Sequence, residues 1–75
     1  MDLASLVKMA NQISDFFAIY PDQGYATQEI AAHIQRFWNP RMRDAIQQRL
    51  GEAEALGLTP LAAAAIRQLG ARVPA

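Results

Sequence analysis

His33 is the only imidazole in the sequence, one helical turn after Glu29 and one turn before Phe37. A carboxylate four residues back can orient a histidine for general-base work. That work also needs a nucleophile or second carboxylate at the same point, and no spacing here supplies one. A histidine in this setting more often makes an i,i+4 contact on a helix surface. The chain has no cysteine, hence no disulfide, no thiolate ligand and no thiol nucleophile. One histidine, with carboxylates that lack EF-hand spacing, builds no metal site. Dinucleotide, P-loop and H-E-x-x-H motifs are absent. The sequence therefore predicts no catalytic, cofactor-binding or metal-ligating residue, and an isolated chain without metal, cofactor or catalytic activity of its own.

Chemistry of another kind concentrates in Arg36-Phe37-Trp38-Asn39-Pro40-Arg41-Met42-Arg43, where three arginines surround two large aromatics. Tryptophan and arginine are enriched in protein interface hot spots, because each combines large contact area with directed hydrogen bonds. The plainer alternative puts Phe37 and Trp38 in the core and leaves the arginines as ordinary surface charge. Arg41 and Arg43 fall in the first turns of a predicted third helix, where the macrodipole is positive. Glu52 and Glu54 fall in its last turns, so both ends carry the disfavoured sign. An internal salt bridge to the acidic first helix, or an anionic surface on a partner, would account for them. Carboxylate and phosphate both suit the guanidinium fork.

Four helices must position these residues. Asp2 caps a first helix to about Ala18, and Tyr20-Pro21-Asp22-Gln23-Gly24 forms a turn. A second helix runs from Gly24 or Tyr25 to Trp38, with Ala26, Ile30, Ala31, Ile34, Phe37 and Trp38 on its apolar face. Asn39-Pro40 caps and starts a third helix reaching Ala55, whose stripe is Met42, Ile46, Leu50 and Ala53; Gly57 closes it. Thr59-Pro60 starts a fourth, lined by Leu61, Ala62, Ala65, Ile66 and Leu69 and ending near Gly70. The expected fold is an all-α single-domain bundle of about four helices over residues 1–70, with a frayed tail over 71–75. In the first helix, Phe16, Met9, Ile13, Leu6, Phe17, Ala10, Leu3 and Val7 fill an arc of roughly 180°, wider than the ~100° that one neighbour covers. Met9 or Phe16, at its edge, should be exposed in the monomer and covered in a complex.

The chain has 75 residues, 52% of them apolar, and 15 are alanine. So short a chain buries only about 60% of its unfolded surface, and alanine adds little area per residue. A thin core without staples often completes its stabilisation on a partner. Seven basic and seven acidic residues balance to a net charge of zero, against the basic excess of a dedicated nucleic-acid binder. The distribution is uneven: residues 1–35 carry a net charge of −3 and residues 36–50 a net charge of +3. No apolar run reaches membrane-spanning length and no signal-peptide pattern opens the chain, so a cytoplasmic location is expected.

Leu6-Val7-Lys8-Met9-Ala10-Asn11-Gln12-Ile13-x-x-Phe16-Phe17, then Ile30-Ala31-x-His33-Ile34-x-Arg36-Phe37-Trp38-Asn39-Pro40-Arg41-Met42-Arg43, then Leu58-Thr59-Pro60-Leu61, resemble in order the delta subunit of cytoplasmic NAD-dependent formate dehydrogenases. The resemblance covers residues 3 to 69. MANQI–FF followed by HI–RFWNPRMR is its specific part, whereas Leu-Thr-Pro-Leu is common helix-start chemistry. The family usually has aspartate in an FWDPRMR string where this chain has Asn39, which removes one negative charge and keeps a good cap.

The resemblance implies a non-catalytic accessory subunit. Its partner would be the alpha subunit, where formate and carbon dioxide interconvert at a bis-pyranopterin molybdenum or tungsten site, in a complex with beta and gamma subunits that carry FMN and iron–sulfur clusters. None of those cofactors is expected in this chain. Arg36, Phe37, Trp38, Pro40, Arg41, Arg43, Met9 and Phe16 are the expected partner-binding residues. The alternatives are a transient assembly chaperone for metal-cofactor insertion into the alpha subunit, and a small nucleic-acid-binding helical regulator, which the neutral charge disfavours.

Overall fold

Four of the helices begin where a short polar side chain can satisfy the free amides of the first turn. In the computed structural model, which describes residues 2–71, Asp2 accepts the Ser5 backbone N–H at 2.8 Å and opens α1, Leu3–Phe17. Asp22 accepts the Tyr25 N–H at 3.1 Å and opens α2, Gln23–Phe37. That start precedes the expected Gly24 or Tyr25 because Asp22 caps the helix and Gln23 is its first residue. Asn39 accepts the Met42 N–H at 2.9 Å, with Pro40 leading α3, Pro40–Gln48. Thr59 accepts the Ala62 N–H at 3.1 Å ahead of α5, Pro60–Ala71. Each such cap contributes about 1 kcal/mol.

The expected third helix is in fact two. Arg49, with φ −120° and ψ 35°, leaves the helical region, and α4, Leu50–Ala55, restarts from it. Gly51 follows closely and weakens helix propagation by about 1 kcal/mol relative to alanine. Packing then decides: Ile46 in α3 and Ala53 in α4 are both fully buried, and the bend serves both. The break also changes the electrostatics. Glu52 now lies in the first turn of α4, a favourable position for an anion, and its carboxylate pairs with Arg49 at 2.7 Å. Glu54 pairs with Arg67 of α5 at 3.1 Å. The acidic end inferred from one long helix is therefore two local ion pairs.

Gly57 ends α4 as expected, at φ 102°, a conformation that glycine adopts without a Cβ penalty. The Leu58 N–H reaches the Ala53 carbonyl and the Gly57 N–H reaches that of Glu54. This is the Schellman pattern, with Leu58 and Ala53 buried beside it.

Leu6, Ile30, Ile34, Ile46 and Ile66 are the largest fully buried side chains, and burying each contributes roughly 1.5–3 kcal/mol. The remainder of the core is largely alanine, with Ala10, Ala31, Ala62, Ala63 and Ala65 completely covered. These small residues let α5 pack more extensively on α2 than any other pair of helices does. The Cα radius of gyration is 11.2 Å, close to the ~11 Å of a compact chain of this length. Ala71 closes α5; the rest of the tail expected to fray, 72–75, lies outside the described residues.

One polar residue of α1 is tied into the fold. Asn11 is half-buried and binds the α4–α5 loop twice, donating to the Gly57 carbonyl at 2.9 Å and accepting the Thr59 N–H at 2.9 Å. The Thr59 hydroxyl donates to buried Ser14 at 2.9 Å. Asn11, Ser14 and Thr59 thus form a clamp between α1 and the start of α5.

Candidate functional site

The wide apolar arc of α1 serves two surfaces. Leu3, Leu6, Val7 and Ala10 enter the core. Met9, Ile13, Phe16 and Phe17 turn instead toward the end of α2 and form one wall of an apolar groove of about 520 Å³. His33, Phe37 and Trp38 line the opposite side, and Met42 of α3 closes one end. Among the described residues that line it, only Gln12 and His33 are polar, and none is a Lys, Arg, Asp or Glu.

Aromatic contacts shape this surface. The His33 ring lies 4.7 Å from Phe37 and 6.1 Å from Phe17. Phe17 meets Phe16 edge-on at 5.0 Å and stacks on Tyr20 at 6.1 Å. Such pairs are worth about 0.5–1.5 kcal/mol beyond area burial, so the exposed rings hold one another in place. Phe16 is nevertheless 68% exposed and Phe37 66% exposed.

Expected contact residues separate by position. Met9, Phe16, Phe37 and Trp38 meet in the groove. Trp38 is only 5% exposed and belongs to the core as well. Phe37, expected on the buried face of α2, is exposed instead and packs against the His33 ring one turn earlier. Arg36 lines an adjoining hollow of about 240 Å³ that shares Phe17, His33 and Phe37 with the groove. Pro40 and Arg41 line a shallower hollow with Asn39, around the corner between Trp38 and Met42.

Arg43 departs from the group. Its guanidinium donates to the Gln35 carbonyl at 2.8 Å, so it closes the C-terminal end of α2, where a cation is favoured. The internal arrangement expected for it, a salt bridge to α1, is not formed among the described residues. Sequence reasoning missed Gln12, Ile13, Phe17, His33 and Met42 as groove residues. The border position of His33 and the excess width of the α1 arc were the available signals.

The chain has no cysteine, its one histidine lies between two phenyl rings, and among the described residues no three His, Asp or Glu side chains converge on an ion position. Among the described residues no helix is long and apolar enough to cross a membrane.

A sequence profile of the NADH-dependent formate dehydrogenase delta subunit family, FdsD, matches residues 5–66. The chain belongs to that family. The matched span takes in most of α1, all of α2, α3 and α4, and the start of α5, hence every residue of the groove and its arginine corner. Comparison with curated proteins and with solved structures returned no match. The family is that of one subunit of a formate dehydrogenase complex.

Proposed function

We propose that this delta subunit is a non-catalytic accessory chain that binds the catalytic alpha subunit of an NAD-dependent formate dehydrogenase and stabilises it or helps it assemble. In this reading the formate chemistry and electron transfer reside in the other subunits, with the bis-pyranopterin metal site, iron–sulfur clusters and FMN, and the groove is the contact surface. The observation that carries it is the pair Phe16 and Phe37, 68% and 66% exposed on opposite walls of one uncharged groove. Exposed apolar surface of this kind marks interaction sites.

Co-expression with the other subunits, followed by measurement of subunit stoichiometry in active enzyme, tests the proposal. One delta chain per alpha chain is expected, with loss of activity or of alpha-chain stability when delta is omitted. Sub-stoichiometric delta in fully active enzyme would favour the transient chaperone instead. A salt titration against nucleic acid should show no binding even at low salt, where phosphate contacts would be strongest.

A further inference from the structure

We infer that the groove receives an amphipathic helix of a partner subunit, with its apolar face in the groove and carboxylates on its flank pairing with Arg36 and Arg41. The inference rests on the accessory-subunit reading and adds the chemistry of the occupant.

Three observations converge on it. First, the groove walls are helix side chains from α1, α2 and α3, and the described residues form no strand that could offer an unpaired edge. Recognition must therefore run through side chains, and an apolar groove between helices is suited to a third helix that presents anchors at i, i+3 or i+4 and i+7. Met9 to Phe17 is a run of nine residues of α1, about 12 Å over its eight steps at ~1.5 Å each, room for about two turns of such a helix.

Second, the arginines differ in what they already do. Arg43 binds the Gln35 carbonyl, Arg49 binds Glu52 and Arg67 binds Glu54. Among the described residues, Arg36 and Arg41 make no hydrogen bond or ion pair, and both are exposed; Arg36 lines a hollow that shares three residues with the groove, and Arg41 directly precedes groove-lining Met42 in α3. Glu29 shares the hollow with Arg36 but does not pair with it. Asp44, three residues after Arg41, is the only acid from Arg36 to Asp44, against three arginines. The corner is cationic and the groove neutral, so the complementary ligand is apolar at its centre and acidic at that end.

Third, a second copy of this chain fits less well. A two-fold contact through the groove would bring the cationic corner toward its own copy. A head-to-tail contact could use the acidic first half of the chain, but such contacts propagate into open chains unless they close into a ring.

The test is a photo-crosslinking residue at position 37 in the co-expressed complex, with the crosslinked peptide identified by mass spectrometry. Alongside it, affinity is measured for Phe16→Ser with Phe37→Ser, for Arg36→Glu with Arg41→Glu, and for Ile19→Ser. Ile19 is 76% exposed and outside the groove, and serves as control. Expected results are a crosslink to a helix with apolar residues at those spacings and Asp or Glu on its flank, at least tenfold weaker binding for each double variant, and no change for Ile19→Ser. The arginine variant should also lose most of its salt dependence. Groove variants that bind like wild type, or a crosslink to a loop or a basic segment, overturn the inference and leave the accessory role standing. Dimerisation of the chain alone that both double variants abolish identifies a second copy as the occupant and overturns it as well. Failure of the wild-type chain to bind any subunit removes the accessory reading itself.

Discussion

Arg41 and Arg43, two positions apart in α3, behave in opposite ways toward the fold. Arg41 stands in the positive first turn and, among the described residues, bonds to nothing, so Arg41→Ala should leave the isolated chain unchanged or more stable by up to about 1 kcal/mol. Arg43 holds the Gln35 carbonyl, and Arg43→Ala should cost about 0.5–1.5 kcal/mol. Urea denaturation of the two single variants separates them, and equal effects would mean that the Arg43 bond contributes nothing. Spacing alone put both arginines in the disfavoured turn. It could not show that the helix corner brings a carbonyl eight residues earlier within reach of one of them. Asn11 was illegible for the same reason, since its partners at Gly57 and Thr59 lie 46 and 48 residues away. Two carboxylates give a pH prediction. The Ser5 hydroxyl and then its backbone N–H hold Asp2 below the ordinary carboxylate range, and hydrogen bonding from Arg49, then its charge, does so for Glu52. With the folded values depressed, the stabilisation is present above the ordinary carboxylate pKa and is lost as pH falls through the lowered ones. Thermal melts from neutral to strongly acid pH should therefore show a shallower acid limb in Glu52→Gln than in wild type.

Helix boundaries were far more legible than helix interiors, because a boundary is written in local chemistry. Asp2, Asn39 and Thr59 cap where their types predict, and Gly57 closes α4. The break at Arg49 has no comparable marker, because it answers to the burial of Ile46 and Ala53 on the two sides of it. Two glycines, Gly51 within α4 and Gly57 just after it, offer a paired test. Gly57 has φ 102°, so Gly57→Ala should cost about 1–2 kcal/mol through left-handed strain. Gly51 lies inside α4, and an added Cβ there would meet nothing within 4 Å. Gly51→Ala should stabilise by roughly 0.5–1 kcal/mol, by removing freedom from the unfolded chain. Chemical denaturation midpoints check both. A destabilised Gly51→Ala would show that glycine is required for the bend after Arg49. In α1 the over-wide arc announced a second surface, but only the folded chain shows that His33 and Met42 complete it.

An alanine-rich core and an aromatic outer groove divide the molecule's apolar residues between folding and association. Trp38 belongs to both, and Phe37 beside it to the groove alone. Trp38→Ala should cost about 3–5 kcal/mol of stability, enough to threaten the fold of so small a domain. Phe37→Ser loses the ring contact with His33 and should cost only about 0.5–1.5 kcal/mol of stability while weakening association, a contrast that melting and binding measurements on the two variants would read directly. The division also fixes how the isolated chain should differ from the assembled one. A partner that binds only the folded state adds RT ln(1 + [L]/Kd) to stability, about 2.7 kcal/mol at a hundredfold excess over Kd. Amides that exchange only on global unfolding, expected at the fully buried Ile30, Ile34 and Ile66, should then exchange about 100-fold more slowly in the complex. Hydrogen exchange followed by mass spectrometry reads this chain's peptides apart from those of the other subunits. Equal exchange at these core positions in the free and the assembled chain would show that the chain reaches its full stability alone, and that the groove contributes nothing to holding it folded.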